Sequence, residues 1–327
     1  MSEQLVILAS AASVAVGMLA SVSASAQAAD PIRVTNLNPL VAVSGLPLWS
    51  GVSDETAVGL TTELANHYRL SERAGHQIII DGETLRMRVF IERPLGDGWS
   101  FGADLPFFYQ SGGVLDDVVD SWHSAFNMPD GDRNRRPEGV LEYSLSNVEG
   151  QFFNLTRSSS GLGDMQLSLA RELGEGGWIV RAAIKLPTGR EQILAGSGGT
   201  DISINVLRRE DAIVRGRAAG FYYGFGLTDI EQPDQILYPV EDQVLTGIVG
   251  GGVAIGQRFG FKGQIDAHSA LYDSQLEEIG QTSVMASIGG WLDIGDSTLF
   301  EFAVSEDLHV STTPDVALVF NLSWTGL

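Results

Sequence analysis

The chain has 327 residues, no cysteine and a formal net charge of -21, from 20 Lys and Arg against 41 Asp and Glu. The absence of cysteine excludes a disulfide framework and thiolate metal sites. Sequence-independent nucleic-acid binding depends on a basic surface, so this charge argues against a nucleic-acid partner. Cation-rich partners or divalent ions fit the acidic balance better.

Residues 1–28 have the pattern of a secretory signal peptide. Residues 5–20 are almost wholly apolar or small, and the sequences ASA at 24–26 and AQA at 26–28 offer small-x-small cleavage sites. The run is shorter than the ~20 apolar residues that span a bilayer, so an N-terminal anchor is the less favoured alternative. The usual basic region is missing, and Glu3 stands there instead. We therefore expect export past the inner membrane and a mature chain that starts near Gln27 or Ala29.

Residues 29–56 suit neither a helix nor a central strand. The stretches NLNPL at 36–40 and GLPLW at 45–49 are apolar, but Pro and Gly interrupt them. We interpret these residues as an extended segment that plugs the periplasmic side of the fold that follows.

From residue 57 onward, apolar and polar residues alternate with period two, as in half-buried β-strands. In residues 84–94, for example, Leu85, Met87 and Val89 share one face, while charged side chains occupy the other. Strands are expected at residues 57–69, 84–94, 99–109, 162–172, 178–187, 199–207, 212–225, 242–256, 261–271, 282–293, 299–306 and 316–324.

The connections between these strands are alternately short and long. The short ones are residues 95–98, 173–177, 208–211, 257–260 and 294–298; the long ones are residues 70–83, 110–161, 188–198, 226–241, 272–281 and 307–315. Such alternation is typical of outer-membrane barrels with short periplasmic turns and longer extracellular loops. We therefore predict an all-β fold over residues 57–327: a closed antiparallel transmembrane β-barrel of about twelve strands in the outer membrane of a Gram-negative bacterium. The last strand resembles a C-terminal insertion signal, which implies the barrel-assembly machinery as a partner during insertion.

The long loop at residues 110–161 carries the one stretch that does not look like a strand. Leu115, Val118, Val119, Trp122 and Phe126 recur at three- and four-residue spacing, which predicts a short amphipathic helix at about residues 114–127. Its polar face and the arginines after it supply candidate ligand or gate residues: Asp116, Asp120, Trp122, His123, Arg133, Arg135 and Arg136.

Each half of this set has two interpretations. Two aspartates and His123 share one helix face and could meet a divalent cation, but a solvated polar face is favoured, and no metal site is predicted. The three arginines could bind lipopolysaccharide phosphates or an anionic solute, although pairing with the loop's own aspartates is favoured.

Charged side chains opposite the apolar strand faces would line the lumen. They are Arg86, Arg88, Glu92, Asp104, Arg181, Lys185, Lys262, Asp266, His268 and Glu301. Such rows of opposite charge either tune the passage of a solute or close the lumen as ion pairs, and the sequence leaves both open.

Several stretches together resemble one known family. They are NLNPL and SGLPL near the mature start, IIIDGETLRMRV at 78–89, the insert LDDVVDSWHSAF with MPDGDR, and KLPTG at 185–189 followed by GSGGTD. This combination is similar to the DUF3187 family of proteobacterial outer-membrane proteins. The resemblance implies the barrel and its membrane, and it implies no particular activity.

The function that we expect is a selective passive channel or facilitator for small solutes, because a barrel of this size has limited room inside. A non-conducting structural or surface-interaction barrel is the alternative. A lipid-modifying enzyme is less favoured: the chain has no Gly-x-Ser-x-Gly, and only Ser121 and Ser124 flank a histidine in the insert. We predict no catalytic residue and no cofactor. Outer-membrane lipid and lipopolysaccharide are the expected surroundings.

Overall fold

The computed structural model describes residues 27–113, 137, 139–233, 238–308 and 312–326, and these residues are almost entirely β-structure. The strands are β1 (Ala57–Arg73), β2 (His76–Gly96), β3 (Trp99–Ser111), β4 (Glu142–Asn147), β5 (Gly150–Leu155), β6 (Ser159–Leu162), β7 (Met165–Leu173), β8 (Trp178–Leu186), β9 (Asp201–Val214), β10 (Arg217–Asp229), β11 (Gln243–Ala254), β12 (Phe259–His268), β13 (Ser283–Ile294), β14 (Thr298–Asp307) and β15 (Val316–Thr325). Besides Gln27 and Ala28, helical structure in these ranges is limited to single turns at Gly174–Gly176, Glu191–Ile193 and Glu277–Gly280.

Twelve of these strands form a closed barrel. Strands β1, β2, β3 and β7 to β15 pair with their neighbours in chain order, and every pairing is antiparallel. The barrel closes where β1 pairs with β15, from Ala57 opposite Thr325 to Asn66 opposite Val316. The predicted twelve-strand antiparallel barrel is therefore confirmed.

The period of two places apolar side chains outside and polar ones inside. On β12, Phe261 and Ile265 are exposed, whereas the intervening Lys262 and Gln264 are buried. Burying an exposed aliphatic side chain is favourable by about 1.5–3 kcal/mol, so the outer belt is suited to hydrocarbon. Within the described residues, none of the helices is both long and apolar enough to cross a membrane.

Two connections differ from the sequence prediction. The predicted loop at residues 70–83 is instead a tight hairpin, because β1 and β2 pair up to Arg73 opposite His76 and turn at Ala74 and Gly75, both with positive φ. Paired positive φ values are typical of type I′ turns. The polar residues that suggested a loop belong to a hairpin that extends past the barrel wall, where β1 no longer pairs with β15.

The predicted turn at residues 208–211 is also wrong. Strand β9 continues to Val214, and the turn falls at Arg215 and Gly216, again with positive φ at both positions. The charged residues from Arg209 onward lie beyond the end of β8, whose last pair is Trp178 with Arg208. They mark the rim of the barrel, where a strand leaves the apolar belt without turning.

The long loop at residues 110–161 contains further strands. Strand β4 pairs with the projecting part of β2, β5 pairs with β4, and β6 pairs with the end of β3. The predicted helix at residues 114–127 and the first 26 residues of the predicted signal peptide lie outside the described residues.

Candidate functional site: the barrel lumen and the segment inside it

The chain from residue 30 to residue 55, here called the lumen segment, runs through the barrel twice. It starts at the short-turn end, where Arg209 donates to Asp30 at 2.6 Å. At the long-loop end, the Tyr272 hydroxyl donates to the Leu40 carbonyl at 3.0 Å. The segment then turns and returns past Gly45, which donates its N–H to Asp201 at 2.7 Å, before the chain enters β1. The lumen segment therefore reaches from one end of the barrel to the other and back.

Side chains, rather than β-pairing, hold the lumen segment to the wall. The backbone–backbone hydrogen bonds described for residues 30–55 stay between residues 27 and 44 of the chain, and no strand forms there. The Gln264 side-chain amide bonds the backbone of Ile32 as a neighbouring strand would. Its Oε1 accepts from the Ile32 N–H at 2.7 Å, and its Nε2 donates to the Ile32 carbonyl at 3.1 Å. Higher up, Asn36 Nδ2 bonds His268 Nε2 at 2.9 Å.

Glu92 on β2 connects both arms of the lumen segment to the wall. Its Oε1 accepts from Arg33 at 3.0 Å on the outgoing arm and from the Ser50 hydroxyl at 2.6 Å on the returning arm. Arg181 on β8 approaches the same oxygen at 3.5 Å and donates to Ser50 Oγ at 2.7 Å. Only 7% of Glu92 is exposed, so these charge-assisted bonds form away from bulk water.

A second cluster surrounds Glu63 on β1, which is fully buried. Arg86 donates two hydrogen bonds of 2.8 Å to the Glu63 carboxylate, and Arg88 forms an ion pair with it at 3.2 Å. Both arginines also reach the lumen segment: Arg86 donates to the Thr35 hydroxyl, and Arg88 donates to the Arg33 carbonyl at 3.1 Å. A single carboxylate thus fixes two guanidinium groups that hold the segment.

Two buried lysines make pairs with the wall. Lys262 on β12 donates to Glu301 on β14 at 2.5 Å. Lys185, at the end of β8, donates to Asp164 at 2.9 Å and to the hydroxyl of Ser197 at 2.6 Å. Asp164 also accepts the N–H groups of Gly189 and Ser197, so this pair fastens the loop at residues 187–200 to the wall.

The ten residues predicted to line the lumen are all buried, and the structure connects most of them. Asp266 and His268 do not pair with each other, because Asp266 accepts from Gln264 at 2.8 Å and His268 bonds Asn36. Asp104 has no salt bridge among the described residues, and its Oδ1 has no hydrogen-bond partner there. Within the same ranges, no group of three or more His, Asp or Glu side chains is placed to hold a metal ion.

An apolar cluster closes the long-loop end. The tip of the lumen segment, including Leu40, Val41 and Val43, packs with residues of the hairpin extension, of four long connections and of β11. The other members are Ile78, Ile80, Leu141, Tyr143, Leu145, Leu155, Leu194, Ile230, Tyr238, Val244, Leu271, Tyr272, Leu276 and Ile279. This end of the barrel is therefore packed like a small protein core.

Little space remains between the segment and the wall. A cavity of about 50 Å³ lies beside Arg88 and Asp104, one of about 10 Å³ beside Glu92, and one of about 130 Å³ near the short-turn end. A water molecule needs about 10–15 Å³ of such space, and small-molecule sites occupy roughly 300–1,000 Å³. These cavities have room for a few water molecules and are smaller than the sites that bind a small molecule.

Sequence reasoning did not single out the lumen segment's own polar residues. Arg33, Asn36 and Ser50 are isolated polar residues in an apolar, Pro-interrupted stretch, and that isolation was the available signal. Glu63 lies on the polar face of β1, but the set of lumen residues predicted from the sequence does not include it. The candidate loop residues Asp116, Asp120, Trp122, His123, Arg133, Arg135 and Arg136 lie outside the described residues.

The fold is similar to solved outer-membrane barrels. The outer membrane channel COG4313 from Pseudomonas putida F1 superposes with a TM-score of 0.53 at 12% identity, over 90% of this chain and 100% of that chain. The NanC porin gives a TM-score of 0.43 at 11% identity, over 83% and 100% of the two chains. The Pseudomonas putida toluene transporter TodX gives 0.39 at 9% identity, over 84% and 91%.

No curated protein matches the sequence. Residues 6–325 match the family described as "Protein of unknown function (DUF3187)", which covers almost the whole chain. The stretches that resembled this family in the sequence thus lie within a match that spans the barrel and the lumen segment. The chain belongs to the DUF3187 family.

Proposed function

We propose that the protein is a passive outer-membrane channel for small solutes. The channel is closed when the lumen segment lies inside the barrel. The observation that carries this proposal is the mode of attachment. A barrel with only a structural role would be most stable with a lumen filled by the side chains of its own strands. Here a separate stretch of chain fills the lumen instead. That stretch pairs with no strand, so it can leave without breaking the barrel's hydrogen-bond ladder.

Two further features support a channel. The wall beneath the segment is polar and charged, as in barrels that carry water and solutes, and the outer belt is apolar. The solved barrel with the highest TM-score given above is described as an outer membrane channel, although a 12% identity extends only the fold to this chain. We further propose residence in the outer membrane after signal-peptide cleavage, among outer-membrane lipid and lipopolysaccharide, with insertion by the barrel-assembly machinery.

One observation favours the alternative, a non-conducting barrel: the apolar cluster packs the long-loop end tightly around the tip of the segment. Single-channel recordings in planar bilayers separate the two functions. The full-length mature chain is compared with a variant that lacks residues 31–54, after heat-modifiable gel mobility has shown that both are folded. The channel proposal expects rare openings of the full-length protein and a steady conductance from the deletion variant.

A folded deletion variant that carries no current would refute the channel. Arg73→Ala, at the end of β1, serves as the control, because Arg73 pairs with Glu277 at 2.9 Å and both side chains are about half exposed. No hydrogen bond or salt bridge among the described residues joins either side chain to the segment. The conductance of this variant should equal that of the parent protein.

A further inference from the structure

We infer that the open lumen selects cations over anions, so that the solutes of this channel are small cationic or neutral molecules. This inference rests on the proposed channel function. It follows from the charges that the barrel wall itself contributes.

The buried charges on the barrel strands are unequal in number. Eight acidic side chains on these strands are buried: Glu63, Asp81, Glu83, Glu92, Asp104, Asp201, Asp266 and Glu301. Five basic ones are buried: Arg86, Arg88, Arg181, Lys185 and Lys262. Asp164, which bonds Lys185 from the connection between β6 and β7, is a further buried acid. The wall therefore carries more buried carboxylates than buried cations.

The half-buried arginines at the two ends do not reverse this excess. Arg69 pairs with Asp315 at 2.6 Å, so that pair adds no net charge. Arg209 at the short-turn end is attracted by Asp211 and Glu172 as well as by Asp30 in the segment. It therefore keeps acidic neighbours on the wall when the segment leaves.

Departure of the lumen segment increases the excess. Arg33 is the one charged residue between positions 31 and 53, so the part of the segment inside the lumen takes a single positive charge with it. Asp54 and Glu55, at the end of the segment, are exposed. Glu92 then loses its 3.0 Å partner and keeps only Arg181, at 3.5 Å. Asp201 loses the Gly45 N–H.

Two carboxylates lack a cation even in the closed state. Asp266 accepts a hydrogen bond from Gln264 and forms no salt bridge within the described part of the chain. The guanidinium groups of Arg88, Arg33 and Arg181 attract Asp104, but none comes within salt-bridge distance of it. In a water-filled lumen both side chains regain solvent, which favours the charged form of a carboxylate, so both are negative at neutral pH. Carboxylates along a pore attract cations, and at 0.1 M salt their field extends roughly 10 Å.

The test is the reversal potential of the variant that lacks residues 31–54, measured under a KCl gradient at low ionic strength. We expect a cation-selective sign, with K⁺ several-fold more permeant than Cl⁻, and a loss of this preference as salt is raised. In the same background, Asp104→Asn combined with Asp266→Asn should shift the reversal potential toward zero. Glu277→Gln also removes a negative charge, but from a half-exposed position outside the lumen, so it should leave the reversal potential unchanged.

Arg33→Ala in the full-length chain gives a second route to the open state if the deletion variant does not fold. Current with anion selectivity, or a selectivity that the two aspartate substitutions do not move, overturns this inference and leaves the channel standing. Absence of current from both folded variants overturns the channel itself, and the inference with it.

Discussion

Glu92→Gln is the substitution that most directly tests whether the lumen segment is a gate. It keeps the size of the side chain and an acceptor oxygen, but it removes the charge that holds both arms of the segment. The two bonds at stake are those from Arg33 at 3.0 Å and from Ser50 at 2.6 Å. Because the backbone of the barrel is untouched, the change acts mainly on the equilibrium between the seated and displaced segment.

The size of the effect follows from the difference between charged and neutral hydrogen bonds. A bond to a charged group contributes about 1.5–3 kcal/mol and one between neutral groups about 0.5–1.5 kcal/mol. The Ser50 bond becomes neutral and the Arg33 bond loses its ion-pair partner, so each weakens by roughly 1–1.5 kcal/mol. The seated state is then destabilised by about 2–3 kcal/mol. Since each 1.4 kcal/mol changes an equilibrium constant about tenfold, the displaced population should rise about 30- to 150-fold.

The assay is single-channel open probability in planar bilayers, with Glu301→Gln as the matched control. Glu301 is as buried as Glu92, at 7% exposure, but it bonds Lys262 at 2.5 Å and Asn321 at 2.9 Å, both on the wall. Both substitutions remove one lumen charge, and only one of them detaches the segment. Equal open probabilities for the two variants would refute the gate, because a general loss of lumen charge would then explain any change.

Three further substitutions test other parts of the fold. Lys185→Met leaves Asp164 buried without its cation and should lower the free energy of unfolding by about 3–5 kcal/mol, with faster proteolysis of the loop at residues 187–200; an unchanged thermal midpoint would contradict the role of this pair. Gly216→Val forces a branched side chain into φ +75° and should cost about 1–2 kcal/mol in urea unfolding, whereas Val at the extended Asp211 should not. Burial raises the pKa of Glu278, whose Oε2 has no hydrogen-bond partner among the described residues. Ionisation of Glu278 therefore destabilises the folded state only above the unfolded pKa of about 4.3. Glu278→Gln should raise the thermal midpoint at neutral pH and not in acid, and equal gains at both pH values would contradict this cause.

The sequence predicted most of the barrel because the relevant signal is local. Alternation of apolar and polar residues depends only on the two-residue period of a strand and on the contrast between hydrocarbon and lumen. It predicted the face of each charged residue on β8 and β12 and the closed twelve-strand fold. It failed at the rims, since a polar run such as residues 208–211 looks the same whether the chain turns there or a strand leaves the membrane.

The pairings inside the lumen could not be predicted. Arg33 and Glu92 are far apart in the chain, as are Asn36 and His268, and their contacts depend on how a segment without strand periodicity settles in the barrel. The sequence around Arg86 and Arg88 does not show whether their ion pairs affect the passage of a solute or hold a segment of the chain in the lumen. The structure shows that the same two side chains form ion pairs with Glu63 and hydrogen bonds with the lumen segment.

The amino-acid sequence by itself determined the class of fold, the inward or outward face of the strand residues and the acidic character of the chain, because each is set by neighbouring residues or by composition. Tertiary structure alone decided that residues 30–55 cross the lumen twice and that their attachment depends on a few buried carboxylates. The physical reason is that a barrel must close before it has an interior, so the partners of the lumen charges exist only after strands more than 200 residues apart have met.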